Sequence, residues 1–414
     1  MTIEEHTPTG AVPTHPPAQT VTGGVYSYAW GIENVFVTVQ RIREDSRHVP
    51  SADVRIRGEP EGHIHMTRIN LLSTQARSQV ARHCTGRCTR NRDWDAIVEQ
   101  FCVLTLDHWR QGESVINLGT VVPSLEPAYR LKPFLLEREA TLIYGDGGIG
   151  KSYLAAYLAA QIDQGITIGA SEPMQGRVLY LDYETNHEIA ARRFQGLTRG
   201  FGFGTASNVL YRFCYQPLAM DIAEIQRICA EESIECVVVD SAGPACGGDP
   251  ESAASAINYF TSLRSLRVTS LTIAHRSKAT GSIGPFGSVY WVNYPRSTYE
   301  LKAPPERIPD SDIMRIAVIH KKSNEGRLQA PMAFRFQFYP QAVTVAEESL
   351  ADLPEFIGEL PIAQQLIAQI EDQGPLTVKE LVGGTDLNES SVRTTLSKKG
   401  NGFRKAGSSK WTLE

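Results

Sequence analysis

Hydrophobic periodicity divides the chain into three regions. In the first, NVFVTVQRIR and HIHMTRINLL alternate as strands do, and DWDAIVEQFCVLTLDHWRQG has a helical period. These patterns predict a small α+β domain over residues 25–122. The preceding residues, 1–22, are rich in Pro and Thr and have little to bury, so we predict that they form a disordered tail.

The second region, residues 132–340, follows a connector that prolines interrupt, VVPSLEPAYRLKP. Its apolar strands alternate with amphipathic helices, and the β-branched run IECVVVD suits a strand that is buried on both faces of a parallel sheet. We therefore predict an α/β domain with a mostly parallel sheet.

The third region begins after a linker at residues 341–360. Three short helical stretches and two strand-like pieces around a Gly-Ser turn fill residues 361–414, which is the winged-helix pattern. Basic residues fall on the predicted recognition helix and wing, and they favour contact with DNA. Docking of a protein partner is the alternative. The basic residues are Arg393, Lys398, Lys399, Arg404, Lys405 and Lys410.

Composition and net charge limit the binding partners and the cellular compartment that can be expected for this protein. The chain has 414 residues and a net charge of −5, which gives no overall attraction to nucleic acid. Seven scattered cysteines suit a reducing cytoplasm, and no apolar run approaches the roughly 20 residues that cross a bilayer. We expect a cytoplasmic protein without membrane contact. Cys84 and Cys88 with His83 suggest zinc, but no second ligand pair follows at a useful spacing.

Arginines alternate along the predicted strands of the first domain, at Arg41, Arg43, Arg55, Arg57 and Arg68. A nucleic-acid-binding face is one interpretation of this pattern. A solvated sheet face is the commoner outcome, and the sequence leaves both open.

An apolar strand in the second region runs into a glycine-rich octet that fits GxxxxGK[ST], and a helix follows at once. The glycines let backbone N–H groups face phosphate oxygens, and the helix N-terminus adds its dipole. We expect Lys151 to reach the β and γ phosphates of ATP and Ser152 to ligate Mg²⁺. The predicted nucleotide contacts are Gly145, Asp146, Gly147, Gly148, Ile149, Gly150, Lys151, Ser152 and Tyr153.

Carboxylates end two further strands of this region. Asp240 follows the buried run and is the predicted Walker-B acid, which holds the Mg²⁺ shell through water. Glu184 follows VLYLDY at the edge where open α/β sheets bind ligands. A base there orients and deprotonates the attacking water. We favour Glu184 for this role, with Asp182 as its support or as the true base.

With these motifs, residues 132–340 resemble the RecA-like branch of P-loop ATPases, and most closely the RepA-type hexameric replicative helicases of plasmids and related phage or mobile-element ATPases. The resemblance implies a RecA-like core, ATP and Mg²⁺ as ligands, and Glu184 as catalytic base. It also implies a polar sensor at His275 and an arginine finger at Arg296. Without the resemblance, His275 reads as a core histidine and Arg296 as a surface arginine.

A finger that acts on a neighbour's γ-phosphate requires a ring or a filament. The resemblance also implies that Lys322 touches a neighbouring nucleotide and that two glycine-rich loops line a channel for single-stranded DNA. The second of these loops carries Arg276 and Lys278. The alternative interpretation is that both are ordinary surface loops.

Three functions follow from these predictions. The first is a ring ATPase, hexameric by resemblance, that moves along or unwinds DNA. The second is a RecA-like filament or loader that remodels DNA with little unwinding. The third is an ATP-gated regulator in which the winged helix binds a specific DNA sequence.

Overall fold

The computed structural model describes residues 16–22, 24–45, 47–112, 115–202, 207–277, 284–304, 311–350, 353–385, 387–398, 400–407 and 409–413. The chain divides into two compact units. Unit 1 comprises Met1–Leu125 and Met220–Ser233, and unit 2 comprises Glu126–Ala219 and Ile234–Glu414.

Unit 1 contains an antiparallel sheet whose strands follow one another in chain order. Alternation buries Val35, Val37 and Val39 on one face, and this face packs against two helices. The strands are β1 (Ala18–Thr22), β2 (Val25–Trp30), β3 (Val35–Glu44), β4 (Pro50–Gly58) and β5 (Gly62–Asn70). The helices are α1 (Thr74–Thr85) and α2 (Trp94–Gln111).

The first strand corrects one predicted boundary. Ala18–Thr22 lies inside the segment predicted to be a disordered tail, yet all five of its residues pair with β2. The Thr-Val-Thr run has the β-branched character that suits an edge strand, and this local signal outweighs the Pro-rich composition before it. Residues 1–15 lie outside the described residues.

The cysteines of unit 1 do not gather as a metal site. In the described part of the chain, no three side chains of His, Cys, Asp or Glu come together as metal ligands. Cys84 is buried in the hydrophobic core beneath the sheet, where burial raises the pKa of its thiol to about 12.

Unit 2 is built on a large sheet that joins parallel and antiparallel strands. Its first elements are β6 (Tyr129–Lys132), β7 (Leu135–Leu136), β8 (Ala140–Gly145), α3 (Lys151–Gln164), β9 (Glu172–Pro173), β10 (Arg177–Asp182), α4 (His187–Gly200) and β11 (Leu210–Phe213). Helix α5 (Leu218–Glu231) follows, most of which belongs to unit 1. The next elements are β12 (Ile234–Asp240), α6 (Ala242–Ala245), α7 (Ala253–Ser265), β13 (Thr269–His275), α8 (Tyr290–Asn293), β14 (Ser297–Lys302), β15 (Ile313–Ser323), β16 (Met332–Phe338) and β17 (Val343–Glu348).

Among the described residues, nine strands form this sheet in the order β11-β10-β12-β13-β8-β14-β15-β16-β17. The first six strands, β11 to β14 in this order, are parallel to one another, and each of the last three is antiparallel to the strand before it. The predicted mostly parallel α/β sheet is confirmed. Because β8, β10, β12 and β13 run in one direction, the residues that follow them meet at one edge of the sheet.

Strand β17 falls inside the segment predicted to be a linker. Val343–Glu348 pairs with β16 along its whole length, and Val343 and Val345 pack against the main core. The residues VTV alternate as a strand does, but the acidic run that follows them obscured this signal. The domain built on the large sheet therefore extends to residue 348.

The C-terminal part of unit 2 has its own small core of apolar residues, including Leu366, Leu381, Val392 and Phe403. Its strands pair in the order β18-β20-β19, and β18 was not predicted. The elements are α9 (Ile362–Gln373), β18 (Leu376–Thr377), α10 (Val378–Gly383), α11 (Glu389–Ser397), β19 (Phe403–Ala406) and β20 (Lys410–Leu413).

Side chains define where two of these helices begin. Thr377 and Glu380 form a reciprocal capping box at α10, and Asn388 caps α11. None of the helices in the described ranges combines the length and the apolar character that crossing a bilayer requires.

Candidate functional site

The glycine-rich loop turns from β8 into α3 at the edge of the large sheet. Gly148 and Gly150 have φ angles of 70° and 102°, in the region that favours glycine. Gly150 is also tightly packed, because a Cβ there would lie 2.7 Å from both Ile316 Cδ1 and Met314 Sδ. The positive φ angle therefore favours glycine at this position, and a larger residue would also have to displace the ends of these two side chains. The loop leads directly into a helix N-terminus, where backbone N–H groups without helical partners can hold an anion.

Lys151 begins helix α3 and is 6% exposed. Its Nζ donates to the carbonyl oxygens of Gly145 at 3.0 Å and Asp146 at 2.6 Å. Burial lowers the pKa of the lysine, while the charges of Glu184 and Asp240 oppose that shift. An ammonium group has three donors, so one N–H remains for a phosphate oxygen.

Asp240 ends β12 and is 4% exposed. It accepts hydrogen bonds from the hydroxyl of Tyr180, at 2.6 Å, and from the hydroxyl of Ser152. Burial raises the pKa of Asp240, and these two bonds oppose the rise. The structure thus brings Ser152 and Asp240 together as predicted. A hydroxyl and a carboxylate are oxygen donors of the kind that Mg²⁺ takes, directly or through water, so this pair fits the predicted ion.

Asp182 is buried at the end of β10 and is fully occupied as an acceptor. The backbone N–H groups of Glu184 and Thr185 donate to its Oδ1 at 2.9 and 2.8 Å. The hydroxyls of Thr185 and Tyr211 donate to its Oδ2. A carboxylate that closes its own turn in this way has no oxygen directed at the pocket. Its role is to fix the position of Glu184.

Glu184 lies on this turn, and its side chain is 42% exposed. Its Oε1 accepts a hydrogen bond from the hydroxyl of Ser241, directly after Asp240. The Nε2 atom of His275, at the end of β13, lies 3.9 Å from the same oxygen. Glu184 and His275 therefore face each other beside the phosphate loop, and the exposed His275 is not a core residue.

These groups surround a pocket of about 290 Å³ that also contains Arg193 of α4. The guanidinium carbon of Arg193 lies 5.0 Å from the ring centre of Tyr153, and its positive charge lowers the pKa of Asp240. Its buried Nε has no hydrogen-bond partner in the described ranges. Sequence reasoning missed Arg193 because it lies within a helix, outside any motif.

Residues 116–281 match a family model described as an AAA domain, and this span includes the loop, Glu184, Asp240 and His275. The middle of the chain is therefore similar to AAA domains. The solved structure of a KaiC-like protein from the hyperthermophilic archaeon Pyrococcus horikoshii is 14% identical, with a TM-score of 0.37. The match covers 54% of this chain and 97% of that chain. No curated protein matches the sequence.

Arg296 lies at the opposite end of the large sheet from the glycine-rich loop. Its N–H donates to Ala140, the first residue of β8, whereas the loop follows Gly145 at the other end of that strand. Six strand residues span roughly 20 Å, which exceeds the reach of an arginine side chain. The Arg296 side chain is 40% exposed, with its Nε 3.5 Å from Glu139.

Lys322 holds the turn that precedes Arg296. Its Nζ donates to the carbonyl oxygens of Val292 at 2.9 Å, Asn293 at 2.7 Å and Pro295 at 2.6 Å. Burial lowers the pKa of Lys322, and the charge of Arg296 lowers it further. All three donors of the ammonium are therefore engaged within the chain. The contact with a neighbouring nucleotide that the family resemblance implied for Lys322 is not available in this arrangement.

The predicted DNA contacts have different surroundings. Arg276 pairs with Glu300 at 3.3 Å, and Lys321 pairs with the other oxygen of this buried carboxylate at 3.4 Å. Lys278 and Lys399 lie outside the described residues. Arg393 pairs with Glu389 one turn earlier on α11, and Lys398 ends that helix.

Proposed function

We propose that this protein is a Mg²⁺-dependent ATPase motor that assembles from several copies and moves along or unwinds single-stranded DNA. One observation carries the proposal: one end of the sheet brings Lys151, Ser152, Asp240 and Glu184 together around a pocket, and the opposite end carries Arg296 with a side chain that is 40% exposed. Assembled copies would bring the two ends together.

The proposed hydrolysis uses groups of the pocket. Backbone N–H groups of the loop and Lys151 would hold the phosphates. Ser152 and Asp240 would hold Mg²⁺, which would supply positive charge to the phosphate oxygens. Glu184 accepts a proton from the attacking water while the oxygen of that water bonds to the γ-phosphorus. The bond to the bridging oxygen breaks, and that oxygen leaves on ADP. Ser241 and His275 hold Glu184 for this step.

Two cations complete the transition state in this proposal. Arg193 faces the pocket from the same copy, where its Nε is available to a phosphate oxygen. Arg296 reaches the pocket of the adjoining copy as an arginine finger. A guanidinium suits both positions because its planar donors match phosphate oxygens.

The DNA contact is supported by the C-terminal domain. Three helices and the sheet β18-β20-β19 have the order of elements expected of a winged helix, with α11 in the position of the recognition helix. Lys405 and Lys410 lie on the strands that correspond to the wing.

A strand-displacement assay with ATP tests this function, with Lys151→Ala as the inactive control. Displacement that requires ATP supports the motor. DNA-stimulated hydrolysis without displacement selects the loader or filament instead, and protection of one specific duplex in footprinting selects the regulator. Electron micrographs with single-stranded DNA and a non-hydrolysable ATP analogue add an independent test, because closed rings support the proposal and solitary chains contradict it.

A further inference from the structure

The sheet of unit 1 has a face that neither α1 nor α2 covers. Residues from four adjacent strands, β2 to β5, line a groove of about 990 Å³ on this face. Phe36 is 46% exposed there and Met66 is 53% exposed, although both are large apolar residues. The lining residues on these strands include Phe36, Thr38, Gln40, Arg55, Arg57 and Met66.

Strand register places arginines beside the apolar residues. Phe36 on β3 lies opposite Arg57 on β4, and Arg55 lies between Thr38 on β3 and Met66 on β5. Residues directly opposite on antiparallel strands have Cβ atoms roughly 5 Å apart, so their side chains share one patch. The groove floor thus alternates guanidinium groups with an exposed ring and a thioether.

Most charges around this groove are matched within unit 1. Asp53 pairs with both Arg41 and Arg68, at 3.7 and 3.3 Å. On α5, Arg227 forms ion pairs with the two glutamates of its own helix that line the groove, Glu224 and Glu231.

Arg55 and Arg57 differ from these paired arginines. In the described part of the chain, neither of them has an ion pair or a side-chain hydrogen bond, and both are exposed. The one remaining groove carboxylate, Glu59, lies beyond the end of β4. The floor of the groove therefore presents two unmatched positive charges.

We propose that this face binds single-stranded nucleic acid outside the ATPase domain. Arg55 and Arg57 would contact phosphodiester oxygens, for which the planar guanidinium is well suited. Phe36 would stack on an unpaired base, a contact that every base can make and that a duplex hides. A solvated sheet face has no need of an exposed ring and thioether beside arginines.

Fluorescence anisotropy of a labelled oligothymidylate with the full-length protein, in the absence of ATP, tests the proposal. The double variant Arg55→Gln/Arg57→Gln is expected to bind roughly 10-fold more weakly in low salt, with a salt-dependence slope that is smaller by about 1.4. Phe36→Ala is expected to lose roughly 5- to 100-fold in affinity with little change of slope. Arg82→Gln, an exposed arginine of α1 away from this face, is the matched control.

Unchanged affinity and slope in the double variant would overturn the proposal, as would equal losses for a duplex and a single strand. Circular dichroism and basal ATP turnover show whether each variant is folded, since none of these residues lies in the ATPase pocket. The result is also separable from the motor function. Wild-type protein that binds the oligonucleotide through this face but displaces no strand would contradict the motor and leave this site standing.

Discussion

The two ends of the large sheet differ in how their polar side chains are held. At the end that carries the phosphate loop, neighbouring groups already hold the reactive side chains: Lys151 by two carbonyls, Asp240 by two hydroxyls and Glu184 by Ser241. At the other end, Lys322 fixes a turn, and the side chain of Arg296 that follows this turn is 40% exposed. The side chains at the first end are thus fixed by their neighbours, whereas the second end presents the partly exposed Arg296, which is ion-paired with Glu139.

The largest expected effect is on the loop end. Lys151→Ala should abolish ATP binding and turnover, because the loop loses the cation that lies nearest to the phosphates. Equilibrium binding of a fluorescent ATP analogue and a phosphate-release assay measure both quantities. Lys132→Ala, at a half-exposed lysine before the loop, should be neutral. Full activity in Lys151→Ala would remove the assignment of this site.

Arg296→Ala tests the opposite end. It should preserve ATP binding while reducing DNA-stimulated turnover by roughly 10³-fold, the effect typical of an arginine finger. Arg327→Ala, at an exposed arginine of the turn that follows β15, is the control. Mixing Arg296→Ala with Glu184→Gln protein should restore part of the activity, because a mixed interface can combine an intact base with an intact finger. Full activity of Arg296→Ala alone would show that the two ends do not cooperate. A mixture that recovers no activity would show the same.

Glu184→Gln should bind ATP normally yet turn over at least ~100-fold more slowly, as expected after the loss of a general base. Single-turnover hydrolysis separates this defect from product release. Glu188→Gln, the same change at an exposed position of α4, should be silent. Turnover near the wild-type rate would show that another group activates the water.

Lys322→Met should have the smallest effect, with turnover reduced by roughly 10-fold through misplacement of Arg296 and with ATP binding unchanged. A role in positioning also predicts that Lys322→Met adds no further loss to Arg296→Ala. If the double variant is clearly slower than Arg296→Ala alone, Lys322 has a function of its own. Steady-state ATP turnover with saturating DNA provides the comparison.

Much of the site was predictable because it depends on local patterns. The octet that ends in Lys151 and Ser152 has a fixed spacing, and acidic residues at strand ends marked Asp240 and Glu184. The choice between Glu184 and Asp182 required three dimensions, since only the bonds to Asp182 show that its oxygens are engaged.

The missed features share a physical cause: they depend on contacts between residues that are distant in sequence. Arg193 enters the pocket only because α4 packs beside the loop. Strand β17 is fixed by pairing with β16 and by packing of Val343 on the core, which its short alternating run indicated too weakly. Nothing in the sequence indicated that Arg276 has an acidic partner, because the buried Glu300 that pairs with it lies on a different strand.

The close packing at Gly150 has a mechanical consequence. Met314 and Ile316, near the start of strand β15, pack against this glycine. Near the end of the same strand, Lys322 donates hydrogen bonds to the turn before Arg296. Strand β15 therefore contacts both the glycine-rich loop and the turn that precedes the proposed arginine finger. In the proposed assembly, a displacement of the loop on nucleotide binding would reach Lys322 along β15, and the nucleotide state of one copy would then change the position of the arginine that it offers to the next copy.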